Sequence, residues 1–225
     1  MHTGKGQVLE LILKDALRYA RISCPENLIP SPGQYLQVSY EANSPLPVPI
    51  FYTDSSPQGF MAAAPIPDSW IPGQEIYLRG PLGRGFALPK TAQRVGLAAM
   101  DDFPSRLHGL IQPALRQHAA VVLISDLGFE SLPDEVEVQP MSALSEIIEW
   151  ADYVAFDLAR ENLPVLRERF FNGMKAKFPV EAQILIRAPI PCGGFAECGV
   201  CAVTVKSAWK MACKDGPVFD WKELL

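Results

Sequence analysis

The stretch PCGGFAECGVCAV, residues 191–203, places Cys192, Cys198 and Cys201 within ten residues, and Cys213 follows in WKMACKDGPVFD (209–220). The one remaining cysteine, Cys24, lies far upstream. The spacing is Cys192-x5-Cys198-x2-Cys201-x11-Cys213. Four thiols grouped among glycines read as ligands rather than as core residues. A structural zinc suits four thiolates, but zinc ribbons carry two CxxC pairs and only one is present here. Disulfides are rare in a reducing compartment. The plant-type [2Fe–2S] pattern is C-x4-C-x2-C with a distant fourth cysteine. This sequence departs from it by one residue in the first gap, which a glycine-rich loop can absorb as a bulge. The expectation is a [2Fe–2S] cluster held by Cys192, Cys198, Cys201 and Cys213, with structural zinc as the alternative. Gly193, Gly194 and Gly199 would bring backbone N–H groups close to the bridging sulfides. CAVTV (201–205) reads as a strand leaving the site. Trp209 and Met211 either shield the fourth ligand from water or pack in the core. Cys24 reads as a small buried hydrophobe.

Working upstream, strands alternate with helices. RVGLAAM (94–100), AAVVLISD (119–126), EVEVQP (135–140), DYVAFDLA (152–159) and VEAQILIRA (180–188) read as strands. SRLHGLIQPALRQH (105–118, broken at Pro113), SALSEIIEWA (142–151) and NLPVLRERFFNGM (162–174) have helical spacing. That order predicts βαβ units and a parallel sheet. Further upstream the prolines concentrate, and the runs 6–14, 16–24, 34–40, 49–55, 60–66 and 75–80 alternate or are apolar, with turn signals between them. Short strands at such spacing predict an antiparallel β-barrel. The fold class expected is a β-barrel plus α/β unit with a small C-terminal cluster domain. The expected division is 1–90, 91–188 and 189–225.

Net charge of −5 with no basic block argues against a nucleic-acid partner. No apolar run approaches the roughly 18 residues of a membrane helix, and no leader pattern opens the chain, so a cytoplasmic protein without a membrane span is expected. The three histidines are scattered, and neither a nucleophile elbow nor a P-loop is present.

At these residues a resemblance emerges. CGGFAECGVCAV with ACKDGPVFD resembles the cluster domain of the dihydroorotate dehydrogenase electron-transfer subunits, in the ferredoxin–NADP reductase-like superfamily. SPGQYLQV (31–38) resembles that family's barrel strand opening with Pro-Gly-Gln, and IPGQEIYLRGPLGRGF (71–86) its stretch ending in Gly-Pro-Leu-Gly-x-Gly-Phe. The resemblance implies electron flow from NADH to FAD to [2Fe–2S] and on to a flavin in a catalytic partner.

The departures decide what is expected of this chain. The family carries Arg-Pro-x-Ser on a barrel strand, its arginine facing the flavin phosphates. In PLPVPIFY (45–52) Val48 replaces the arginine and Phe51 the serine, while Pro49 remains. FAD thus remains a candidate only through Pro49, Phe51 and Tyr52, with Gly80, Pro81, Leu82 and Gly83 of the barrel's final turn. The family's glycine-rich turn after the first α/β strand is replaced by DDFPSR, where Asp101 and Asp102 put negative charge at the pyrophosphate position or cap their own helix. The family's late Cys-Gly-Pro has no counterpart, so NAD(P) binding is not expected. Arg84 reads as a solvated loop arginine, with partner docking as the alternative. The function expected is an iron–sulfur electron-transfer subunit of a hetero-oligomeric redox complex, without its own pyridine-nucleotide site. Its partner would be a flavoprotein, such as a dihydroorotate dehydrogenase-like catalytic subunit, or another iron–sulfur protein. The alternatives are a complete FAD- and NADH-dependent subunit and a non-redox, zinc-stabilised assembly subunit.

Overall fold

Six strands at the N-terminal end close on one another. They are β1 (His2–Lys14), β2 (Leu17–Ser23), β3 (Tyr35–Ser39), β4 (Val48–Ser56), β5 (Gly59–Ala62) and β6 (Glu75–Leu82), in barrel order β1-β2-β5-β4-β3-β6. The computed structural model describes residues 1–14, 17–40, 46–127, 132–173, 181–206 and 208–224. Alternation sends Leu36, Val38, Ile76 and Leu78 into the barrel, where they pack with Ile22, Ile50, Phe60 and Trp70. Their neighbours Tyr35, Gln37, Tyr77 and Arg79 therefore face outward. The strand expected over 60–66 stops at Ala62, because Pro65 and Pro67 cannot donate to a ladder.

The second layer is a six-stranded sheet of order β14-β11-β10-β7-β8-β9. It contains β7 (Arg94–Ala99), β8 (Ala120–Ile124), β9 (Val136–Gln139), β10 (Tyr153–Ala159) and β11 (Glu181–Arg187), all mutually parallel. Between them run α1 (Ile111–Arg116), α2 (Leu144–Trp150) and α3 (Leu163–Gly173). Strand β10 is buried almost throughout because helices cover both faces of a parallel sheet. The single helix expected over 105–118 is instead two 3-10 turns, Pro104–Arg106 and His108–Leu110, followed by α1. Pro113 does not break it, because it falls in the first turn of α1, where a missing N–H costs nothing. Residues 174 and 180, included in the expected last helix and strand, lie outside the described residues.

The C-terminal tail adds the hairpin β12 (Ala202–Val205) and β13 (Ala208–Met211), then β14 (Val218–Asp220) and α4 (Trp221–Leu224). Strand β14 joins the large sheet antiparallel to β11. No helix among the described residues is long and apolar enough to cross a membrane. Tyr35, Phe156, Val203, Cys213 and Phe219 share one core cluster, so barrel, sheet and tail are packed through a common seam.

Candidate metal centre

Cys192, Cys198 and Cys201 lie in the turn between β11 and β12, and Cys213 follows β13. Cys201 and Cys213 are buried, Cys192 is half-buried and Cys198 is exposed. The backbone between them is left-handed at Gly193 (φ 66°), Gly194 (φ 85°), Ala196 (φ 62°) and Gly199 (φ 71°). This winding turns N–H groups inward. The amides of Gly194, Phe195 and Glu197 donate to the Cys192 sulfur, and Cys198 is its side-chain partner. Burial opposes ionisation of Cys192, but these hydrogen bonds outweigh it and hold the thiol down at about 6. Cys213 behaves oppositely: burial, reinforced by the hydrogen bond and charge of Cys201, pushes it up to about 12. Cys198 acts on Cys192, and both Cys201 and Cys192 act on Cys213. Among the described residues, no three His, Cys, Asp or Glu side chains gather as ligands of one ion would.

Tyr35 anchors the loop. It is fully buried, and its hydroxyl donates to the Cys213 carbonyl at 2.8 Å. A Cβ on Gly194 would meet that hydroxyl at 2.8 Å, so only glycine lets the loop pass. Two of the resembling motifs also meet here. The Arg84 amide donates to the Gly216 carbonyl at 2.5 Å, and a Cβ on Gly83 (φ +73°) would lie 2.5 Å from Pro217 Cδ. Arg84 reaches Glu223 of α4 at 3.3 Å, so this arginine ties barrel to tail. Trp209 does not shield Cys213. It is 74% exposed on the hairpin, whereas Met211 packs against the core. Cys24 is half-buried against the barrel core, as a small hydrophobe would be, and burial pushes its thiol up to about 11.

The crevice at the carboxyl ends of β7, β10 and β11 is organised differently. Asp101 and Asp102 are not bare charges and do not cap a helix through the expected position, which Phe103 occupies. Asp102 accepts from the Phe103 amide at 2.8 Å and pairs with Arg106 at 2.6 Å. Asp101 accepts from the Ala159 amide at 2.9 Å, from the Asn162 side chain, and pairs with Arg187. Asp157, 1% exposed, holds Arg187 at 2.8 Å and lies 3.5 Å from Arg106 Nε, an ion pair too long for a hydrogen bond. Burial raises the Asp157 carboxyl to about 6, with Arg106 opposing and Asp102 adding to the rise. Three carboxylates and two guanidinium groups thus balance to within one charge. Arg106, Asp157 and Arg187 escaped the sequence reading. The signal available was an aspartate inside the otherwise apolar run DYVAFDLA and an arginine closing VEAQILIRA.

The candidate flavin residues line the seam beside this network. Phe51 packs on Tyr35, with ring centroids 5.7 Å apart, and the Arg106 guanidinium lies 6.0 Å from its ring centre. Tyr52 stacks on Phe60 at 6.3 Å, and a Cβ on Gly109 would lie 2.6 Å from Tyr52 Cε1. Thr53 donates to the Ser105 carbonyl, and Arg106 donates to the Ala64 carbonyl at 3.3 Å. Pro49 pairs across the ladder with Gln37. Gly80 and Pro81 lie in β6, with Gly80 against Leu36 and Tyr35 of the barrel, whereas Leu82 packs on the seam core and Gly83 lies against Gly216 and Pro217 of the tail.

Residues 192–225 match the family model described as the iron-sulfur cluster binding domain of dihydroorotate dehydrogenase B. The electron transfer subunit of dihydroorotate dehydrogenase B (NAD(+)) from Desulforamulus reducens is 26% identical over 236 residues, covering 85% of this chain and 86% of that protein. Among solved structures, an NADH-dependent reduced ferredoxin–NADP oxidoreductase studied for flavin-based electron bifurcation superposes with a TM-score of 0.70 at 16% identity, covering 97% of this chain and 88% of its own. A ferredoxin reductase of carbazole 1,9a-dioxygenase superposes with a TM-score of 0.59 at 13% identity, covering 76% and 64%. The chain therefore has a ferredoxin reductase-like fold, is similar to the electron transfer subunit of dihydroorotate dehydrogenase B over most of its length, and at residues 192–225 matches the iron–sulfur cluster binding domain of dihydroorotate dehydrogenase B.

Proposed function

We propose that this chain is an iron–sulfur electron-transfer subunit that exchanges single electrons with partner proteins and has no pyridine-nucleotide site of its own. The observation that carries this reading is the run of left-handed residues Gly193, Gly194, Ala196 and Gly199 between the cysteines of a segment, residues 192–225, that matches an iron–sulfur cluster binding domain. Cys192, Cys198, Cys201 and Cys213 would hold a [2Fe–2S] cluster, which supplies one-electron redox chemistry. The chain's contribution is a cradle that accepts anionic sulfur, with Tyr35 holding the Cys213 segment and Gly194 admitting the loop. Residues 1–90 and 91–188 would then serve as scaffold and interaction surface for the cluster-bearing residues 189–225.

The residues at the candidate flavin position do not fit FAD. Phe51, Tyr52 and Thr53 are engaged by Tyr35, Phe60, Gly109 and Ser105, and Val48 offers no charge to a pyrophosphate. Nor does the crevice fit a dinucleotide. Its carboxylates already take the amides of Phe103 and Ala159, where an anionic phosphate would need free donors. A chain that cannot accept hydride must receive electrons from another subunit. The partner would be a flavoprotein of the dihydroorotate dehydrogenase type or a second iron–sulfur protein, in a cytoplasmic hetero-oligomer. The name of the Desulforamulus relative, which includes NAD(+), favours a second reading as a complete NADH-dependent subunit.

Metal and flavin analysis of the anaerobically purified chain tests the proposal. It expects about two irons per chain and no stoichiometric flavin. Bound FAD would favour the complete subunit, and zinc without iron would retire both redox readings.

A further inference from the structure

Arg79, on the outer face of β6, reaches across to the cysteine loop. A Cβ on Gly193 would lie 3.2 Å from Arg79 Nη2, so the guanidinium packs on the loop backbone one residue after Cys192. Its Cζ lies over the Phe195 ring, 4.2 Å from the centre, an arrangement that holds a planar cation in place. Nη2 is buried without a hydrogen-bond partner, and Nη1 meets the Met1 sulfur at 3.4 Å. Among the described residues Arg79 pairs with no carboxylate. The neighbouring cations are balanced: Arg160, which donates to the Val200 and Ala202 carbonyls, pairs with Glu161 at 3.3 Å, and Lys5 pairs with Glu75 at 2.7 Å. Arg79 and Cys192 also share the wall of a cavity of about 600 Å³, lined by no carboxylate among the described residues. Burial pushes the Tyr35 hydroxyl up, charge on Cys213, Cys201 and Cys192 adds to the rise, and Arg79 opposes it, so guanidinium and thiols act on one point.

We propose that Arg79 is the uncompensated cation of the thiol loop, setting a positive field at Cys192 and raising the reduction potential of the group the four cysteines hold. The field follows from the placement of Arg79 alone, and the effect on potential rests on the electron-transfer reading. Reduction adds one electron, and with it one negative charge. A fixed cation that is poorly hydrated and unpaired favours the more negative form, and net charge near the sulfurs is one of the terms that set such potentials.

Two measurements on the full chain test this. In the iron-loaded chain, a dithionite titration with mediators is followed by EPR. Arg79→Gln should disfavour the reduced form about tenfold, a fall of about 59 mV for one electron. Arg79→Lys, which keeps the charge and loses the planar stack, should recover more than half of that fall. Before iron is loaded, Cys192 is alkylated in parallel with anionic iodoacetate and neutral iodoacetamide and read by peptide mass spectrometry, so that the ratio of rates cancels the ionisation of the thiol itself. Arg79→Gln should lower that ratio about threefold, and 1 M salt should erase the difference. An unchanged potential at the parent's iron content, an equal fall in Arg79→Lys and Arg79→Gln, or an unchanged alkylation ratio would overturn the proposal. A parent chain that takes up no iron would instead retire the electron-transfer reading, and the alkylation ratio would then decide for or against the field of Arg79 on its own.

Discussion

The cysteine loop and the crevice at the ends of β7, β10 and β11 handle charge in opposite ways. In the loop, left-handed residues aim backbone amides at sulfur, and the charge those donors would stabilise comes from the thiols and whatever they hold. In the crevice, the chain supplies both signs itself: Asp101, Asp102 and Asp157 face Arg106 and Arg187. One site aims donors at its thiols; the other pairs its charges within the chain, although Asp157 Oδ2 stays buried without a hydrogen bond.

The comparison is broken most strongly at the thiols. Cys213→Ser removes a buried thiol. Losing a ligand should exceed the roughly 10–100-fold penalty that even supporting residues carry, so iron content and visible absorbance should fall by more than about tenfold. Colorimetric iron assay and absorption spectra check this.

Next comes the crevice. Arg106→Met leaves Asp157 buried with one cation fewer. Breaking a buried ion pair from one side costs about 3–5 kcal/mol, and urea denaturation should show a loss of that order without any gain in nucleotide binding.

The pH dependence sharpens the same point. Burial holds the Asp157 carboxyl at about 6, against about 3.9 in an unfolded chain. Between those values the folded protein binds more protons, so this group's contribution makes stability fall as pH rises from about 4 to about 6, by up to roughly 3 kcal/mol. Asp157→Asn should remove that part of the slope. Denaturation midpoints of parent and variant, compared across that window, isolate it.

The smallest effect belongs to the exposed hairpin. Trp209→Ala should change stability by no more than about 0.5 kcal/mol and leave iron content unchanged. Thermal melts with an iron assay suffice.

The barrel and the parallel sheet were legible in the sequence because each rests on a local period. Alternation in QYLQVSY and the apolar run DYVAFDLA carry their own strand signals. The four cysteines stand out as a candidate ligand set in the sequence because thiols among glycines have few structural uses. What stayed hidden depends on distant partners. VFD (218–220) is too short to declare itself a strand, and becomes one only because β11 offers an edge. Asp157 and Arg187 lie thirty residues apart, and their pairing exists only once β10 and β11 are adjacent. Hydrophobicity placed Trp209 near the thiols but says nothing of which face of a two-stranded hairpin it occupies. GPLGRGF and CKDGPVFD each resembled a family motif, but neither predicted that they lie against one another.

The most direct measurement compares reductants on one anaerobic sample, with EPR as the readout. Dithionite should produce a rhombic signal from a reduced [2Fe–2S] centre, and NADH in large excess should produce none until a redox partner is added. A rhombic signal of equal size on adding NADH alone would contradict the account, because the crevice would then have to admit the nucleotide that its own ion pairs are here held to exclude.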